Sequence, residues 1–182
     1  MIELQEVVQI ALPAQQVWSL ITSPLSVASC ISGATLEATD EPDLYRGTMR
    51  VKFGPTVVTF HGEARTAYEH SARRCTIAGR GHDKRGATNA TATIQVQVSG
   101  EDTAELAISG GFAVTGPLEG FARTGGVHIA RILLKDFAAN LALMAKGGLS
   151  AEDKQTNEPL NAAGVAGQAA RQWISGILTR KD

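Results

Sequence analysis

Alternation of apolar and polar positions dominates the middle of the chain. Across residues 44–54, Gly47, Met49, Val51 and Phe53 share one face, and Arg46, Thr48, Arg50 and Lys52 share the other. That is the period-two signature of a half-buried strand. Gly54-Pro55 then predicts a tight reversal. The next strand sets Val58, Phe60, Gly62 and Ala64 against Thr59, His61, Glu63 and Arg65. Residues 69–73 predict a turn, after which Cys75, Ile77 and Gly79 alternate with Thr76, Ala78 and Arg80. Residues 81–86 form a charged hairpin tip. Ala90, Ala92, Ile94, Val96 and Val98 then alternate with Thr91, Thr93, Gln95 and Gln97 in the most regular strand of the chain. A turn at Gly100-Glu101-Asp102 leads to a last strand with Ala104, Leu106 and Ile108 on one face.

The flanks have a different pattern. Residues 2–12 predict a strand, and Pro13 stands where a first helical turn tolerates it. Val17, Trp18, Leu20 and Ile21 cluster at helical spacing, and Ser23-Pro24 starts a second short helix that ends at Gly33. Residues 35–39 predict a short strand, and Glu41-Pro42-Asp43 a turn. A long helix over residues 118–144 carries Leu118, Phe121, Ala122, Gly125, Ile129, Ile132, Leu133, Phe137, Leu141 and Met144 on one broad stripe, and Gly147-Gly148 stops it. Residues 147–161 are polar and predict a linker. Residues 162–182 predict a tethered amphipathic helix. The expected architecture is α+β: a curved antiparallel sheet of seven strands around one long C-terminal helix, over residues 1–146.

Composition supports a cored domain and narrows its chemistry. Of 182 residues, 43% are hydrophobic but only 5% are aromatic, and there are 19 glycines. A core of small aliphatic side chains with few rings fills space less completely. Net charge is −1, which argues against a grip on nucleic acid. The charge is uneven: residues 1–45 hold six acidic side chains and no Lys or Arg, whereas residues 46–85 hold nine bases and three acids. Solvated strand faces account for this, with a basic patch facing an anionic partner as the sharper reading. Cys30 and Cys75 lack metal-ligand spacing and are expected to be buried thiols, so no metal site is predicted. No signal peptide opens the chain and no apolar run spans a bilayer, so the expected location is the cytoplasm.

Several local motifs occur in a telling order. They are Ser29-Cys30-Ile31-Ser32-Gly33-Ala34, Tyr45-Arg46-Gly47, Lys52-Phe53-Gly54-Pro55, Phe60-His61-Gly62-Glu63-Ala64-Arg65, Gly81-His82-Asp83-Lys84-Arg85-Gly86 and Phe137-Ala138-Ala139-Asn140-Leu141. Together they resemble the CoxG-like family of carbon monoxide dehydrogenase accessory proteins, whose members have the helix-grip fold of START-like proteins. Ser32 stands where that family usually has proline, and His82 where its loop is more often basic. The resemblance covers residues 1–146. It implies a non-enzymatic accessory protein that holds a lipophilic ligand between sheet and helix. It also implies a molybdenum-containing dehydrogenase as partner, at the inner face of the cytoplasmic membrane, close to respiratory quinone of the menaquinone or ubiquinone type.

On that reading the candidate ligand-binding residues on the sheet are Met49, Val51, Phe53, Phe60, Ile77, Ile94, Val96, Ile108 and Phe112. Phe121, Ile129, Leu133 and Phe137 face them from the long helix. All are core residues in any case, and the functional version claims only that the core is incomplete. A dry cavity suits an isoprenoid tail, since each buried methylene contributes about 0.8 kcal/mol. In the tail, Trp173, Ile174, Ile177 and Leu178 beside Arg171, Arg180 and Lys181 suit a membrane surface or a partner protein. Packing on its own domain is the alternative. Enzymatic chemistry finds less support. His61 alternates away from the inward set, His70 and His82 fall in turns, and no nucleophile elbow or Walker pattern occurs. His128 with an inward-facing Tyr45 would be the acid–base pair of a START-like cyclase or hydrolase. A docking adaptor with a filled core is a third reading.

Overall fold

The computed structural model describes residues 1–53, 56–147 and 160–161, with Phe53, Thr56, Leu160 and Asn161 described by their backbone alone. The Gly54-Pro55 reversal and every tail residue named above lie outside the described residues. Strand β1 (Ile2–Ile10) is followed by helices α1 (Ala14–Ile21) and α2 (Pro24–Ser29). Six strands follow: β2 (Ala34–Ala38), β3 (Leu44–Phe53), β4 (Thr56–Glu69), β5 (Arg74–Asp83), β6 (Asn89–Ser99) and β7 (Ala104–Thr115). Helix α3 (Glu119–Ala145) closes the fold, as the sequence pattern predicts.

The seven strands form one antiparallel sheet in the order β1-β7-β6-β5-β4-β3-β2. Consecutive strands from β2 to β7 are neighbours because tight turns join them. Only β1 is displaced, pairing β7 along its whole length from Ile2↔Phe112 to Ile10↔Ala104. The α1–α2 segment therefore carries the chain from one edge of the sheet to the other, across one end. Proline sets both helix starts, Pro13 capping α1 and Pro24 opening α2.

The sheet curves tightly where glycines line up across it. Register places Gly47 opposite Gly62, and Gly62 opposite Gly81. A Cβ on Gly62 would stand 2.2 Å from the Arg80 carbonyl oxygen, and one on Gly47 would stand 2.0 Å from that of Thr35. Only glycine allows the strands to approach this closely.

The filled core lies at the β1–β7–β6 side. Leu106, Leu141 and Val17 are fully buried there, with Ile10, Val98, Ala104 and Trp18 around them. Helix α3 packs on β1 and β7 and touches α1. Arg131 donates to Glu6 of β1, and Asn140 donates to the Cys30 carbonyl at 2.9 Å. The Ser32 hydroxyl donates to Asp136. The Cys-Ile-Ser-Gly turn is thus clamped to α3 by side chains from two successive helical turns. A left-handed Gly33 (φ +84°) then leads into β2.

One segment departs from the expected linker. Leu160 and Asn161 form a two-residue strand, β8, parallel to β3 beside Val51 and Lys52. The β2 pairing stops at Met49, which leaves an open edge of β3 to accept it.

Candidate ligand cavity

Between α3 and the concave face of the sheet lies a cavity of about 550 Å³. Its walls follow from strand alternation. Tyr45, Gly47 and Met49 of β3, and Phe60, Gly62, Ala64, Thr66 and Tyr68 of β4, line it. Strand β5 adds Cys75, Ile77 and Gly79, while β6 adds Ala90, Ala92, Ile94 and Val96. Ile108 and Phe112 of β7 complete the sheet side. Leu133, Leu134 and Phe137 form the helical roof, and Ile21, Pro24, Val27, Ala28 and Ile31 cover the end beneath α1 and α2. The glycines and alanines explain the empty space. Gly47, Gly62, Ala64, Gly79, Ala90 and Ala92 put little or no side chain into the space between the larger lining residues.

Nine of the thirteen sequence-predicted ligand residues meet around this cavity: Met49, Phe60, Ile77, Ile94, Val96, Ile108, Phe112, Leu133 and Phe137. Val51 is buried but stands away from it, beside β8. Phe121 is 42% exposed and Ile129 half-buried, and neither lines the cavity. The cavity-lining residues of α3 are Leu133, Leu134 and Phe137, so the predicted stripe runs further toward the start of the helix than the part that roofs the cavity. The Phe53 side chain lies outside the described residues. Leu134 and the α1–α2 residues escape a reading of the sequence because their spacing alone gives no direction. Thr66 and Tyr68 are legible there, since they continue the inward series of Phe60, Gly62 and Ala64 by two more steps.

The inward polar groups are few. Glu63 and Arg80 border the cavity but alternate to the outer face, where Arg80 Nε donates to Glu63 at 2.9 Å. Thr91 alternates outward in the same way, between the inward Ala90 and Ala92. Thr35 and Thr48 satisfy each other at 2.8 Å. That leaves Tyr45, Thr66, Tyr68 and Cys75. Burial pushes the Tyr68 phenol up to about 12, a rise that the neighbouring Thr66 hydroxyl offsets only in part. The two hydroxyls stand near each other, but among the described residues no contact onto the Thr66 oxygen has the geometry of a hydrogen bond. Burial likewise pushes the Cys75 thiol up to about 11, against the opposing effect of Tyr68. Both groups therefore stay protonated near neutrality, and Cys75 is a poor nucleophile there. Cys30 and Cys75 are both buried.

The acid–base pair weighed from the sequence does not assemble. Tyr45 lines the cavity, but His128 is exposed on α3 and does not. No group of His, Cys, Asp and Glu side chains able to hold a metal ion occurs among the described residues. Nor is any described helix long and apolar enough to cross a membrane.

Solved structures share this arrangement at low sequence identity. A conserved protein from Geobacillus kaustophilus superimposes with a TM-score of 0.71 at 14% identity, covering 80% of this chain and 96% of that one. An aromatase/cyclase from a Streptomyces species gives 0.52 at 10% identity, covering 87% and 98%. Norcoclaurine synthase from Thalictrum flavum, in complex with dopamine and hydroxybenzaldehyde, gives 0.54 at 11%, covering 81% and 88%. Comparison with curated proteins gives no match. Residues 1–146 match the family model described as polyketide cyclase / dehydrase and lipid transport. A helix-grip sheet, a long C-terminal helix and a family match over 146 residues lead to one conclusion: the chain belongs to the polyketide cyclase / dehydrase and lipid transport family of START-like proteins.

Proposed function

We propose that this chain is a non-catalytic accessory protein that binds a lipophilic ligand, a respiratory quinone of the menaquinone or ubiquinone type. On this reading it helps couple a molybdenum-containing dehydrogenase of the carbon monoxide dehydrogenase type to the cytoplasmic membrane. The observation that carries the reading is the cavity, which is large, mostly apolar and free of inward-turned charged side chains among its described lining residues. Its 550 Å³ falls within the roughly 300–1,000 Å³ of small-molecule sites. The ordered motifs of residues 29–34, 45–47, 52–55, 60–65, 81–86 and 137–141 together support the link to the dehydrogenase partner. Arg171, Trp173, Ile174, Ile177, Leu178, Arg180 and Lys181 would dock the tail on membrane or partner.

Solvent extraction of the purified protein, followed by mass spectrometry, tests the reading. A stoichiometric isoprenoid quinone is the expected result. An extract that stays empty after incubation with quinone-loaded vesicles, together with no association with dehydrogenase or membrane, overturns it. Removing residues 149–182 should abolish membrane association while leaving ligand in the cavity.

A second reading has its own support. Cyclases and norcoclaurine synthase share the fold, and the hydroxyl-bearing Tyr45, Thr66 and Tyr68 line this cavity. A START-like cyclase would turn over an aromatic or polyketide-like substrate here, and loss of turnover in Tyr45→Phe would favour it. The raised Tyr68 and Cys75 groups weigh against general-base or thiolate chemistry at neutral pH.

A further inference from the structure

The polar side chains of the cavity gather at one end. Register sets Tyr68 opposite Cys75 and Thr66 opposite Ile77, so the two hydroxyls are successive inward residues of β4. Helix α1 backs them. The Trp18 ring meets Tyr68 edge-on at 6.2 Å, and His70 stacks on Tyr68 with ring centroids 6.0 Å apart. Trp18 is itself buried, so the Tyr68 ring is held from behind.

Thr66 provides the observation that points to a ligand. It lines the cavity, it is only 8% exposed, and its hydroxyl, although near the Tyr68 phenol, makes no contact with hydrogen-bond geometry among the described residues. A buried hydroxyl without a partner is costly, and native folds rarely keep one. Valine would fill the same volume at no such cost. Thr35 and Thr48 bond each other, so the fold satisfies threonine hydroxyls elsewhere. The hydroxyl left wanting a partner borders a space large enough for a ligand to enter.

The chemistry of the neighbours narrows that ligand. Thr66, Tyr68 and Tyr45 bring hydroxyl donors, and no Lys, Arg or His side chain is turned inward among the described lining residues. A carboxylate or phosphate would be buried without a counter-charge, at high cost. A carbonyl oxygen needs only the donors. We propose that the end of the cavity beneath α1 recognises a carbonyl oxygen of a neutral lipophile. The Thr66 hydroxyl donates to it, Tyr68 stands beside it, and the apolar remainder lies along Ile77, Ile94 and Phe112. This rests on the reading that the cavity takes up a lipophilic molecule, and adds which end holds which part.

Two probes of matched skeleton separate the claims: a 1,4-naphthoquinone with one prenyl chain, and the same prenylated naphthalene without carbonyls. Affinities are measured on the full chain and on Thr66→Val and Tyr68→Phe. Wild-type protein should bind both probes and prefer the quinone. Thr66→Val should weaken quinone binding about fivefold, the effect of one hydrogen bond, and leave naphthalene binding unchanged. Its thermal midpoint without ligand should hold or rise. Equal quinone affinity in wild type and Thr66→Val overturns the carbonyl site while leaving lipophile binding intact. Equal loss of both probes, or a lower midpoint without ligand, assigns Thr66 a packing role and also overturns it. If wild type binds neither probe, the lipophile reading fails and takes this proposal with it.

Discussion

The two halves of the sheet are built from the same alternation and differ in what alternates. On β1, β6 and β7 the inward residues near α1 are Ile10, Val98, Ala104, Leu106 and Ile108, nearly all closed to solvent against Trp18 and Leu141. On β3, β4 and β5 the inward residues include Gly47, Gly62, Ala64 and Gly79, with hydroxyls at the end of the series. One half buries apolar surface and supplies stability. The other curves without filling, and leaves a space that the first half must support. Strands β6 and β7 serve both, with Val98 and Leu106 in the filled core and Ala92, Ile94 and Phe112 on the cavity wall. The two roles still fall largely on different residues, which makes them separable by mutation.

The largest effect belongs to the filled half. Leu106→Ala removes a fully buried side chain from the centre of the core cluster, and should cost about 3–5 kcal/mol. Chemical denaturation gives the number, and ligand affinity per folded molecule should not change. Next comes the glycine row. Gly62→Ala drives a methyl group against the Arg80 carbonyl, so β4 and β5 must separate. A cost of about 1–3 kcal/mol is expected, as for overpacking, with loss of ligand capacity measured by probe titration. Full capacity in Gly62→Ala would mean that the glycines do not shape the cavity.

Most of this division is legible in the sequence, for a physical reason. Period-two alternation fixes which side chain faces inward, so it marks the concave residues from Met49 to Phe112. It says nothing of how far the opposite wall stands. A filled interior and a cavity therefore produce the same pattern, and only the position of α3 separates Phe137, which roofs the cavity, from Phe121, which faces water. Helical stripes are weaker guides. Ile129 lies on the predicted stripe and His128 at its edge, and neither lines the cavity, because the stripe does not show where along α3 the helix stands over the sheet. The clamp of Asn140 on the Cys30 carbonyl is invisible for another reason, since it joins residues 110 positions apart.

A third substitution sharpens the comparison. Ile77→Ala trims a side chain that already borders empty space, so it creates little new cavity and loses mainly transfer energy. About 1–2 kcal/mol is expected, well below Leu106→Ala although both remove aliphatic side chains. It should also enlarge the ligand site, so that a bulkier prenyl probe gains affinity. Equal costs for the two substitutions would show that Ile77 is packed as tightly as Leu106, and the contrast between the halves would collapse.

The smallest effect concerns the seal at the end beneath α1. Burial raises Tyr68 from 10.0 to about 12 and Cys75 from 9.0 to about 11. Their unfolded forms release protons at lower pH than their folded forms, so the unfolded state binds fewer protons in this range. Stability is then full below about pH 9 and falls as pH rises through 9 to 12. Tyr68 is only half-buried, and solvent screening keeps its share modest. Tyr68→Phe removes the phenol and should flatten the decline between pH 10 and 12, leaving the thiol's share near pH 9–11. Denaturation midpoints across this range, compared with wild type at each pH, give the difference without interference from the other titrating groups. Parallel profiles would mean that water reaches the phenol freely. An open Tyr68 would also undercut the role of the neighbouring Thr66 hydroxyl, since a water molecule there would satisfy it and no ligand carbonyl would be needed.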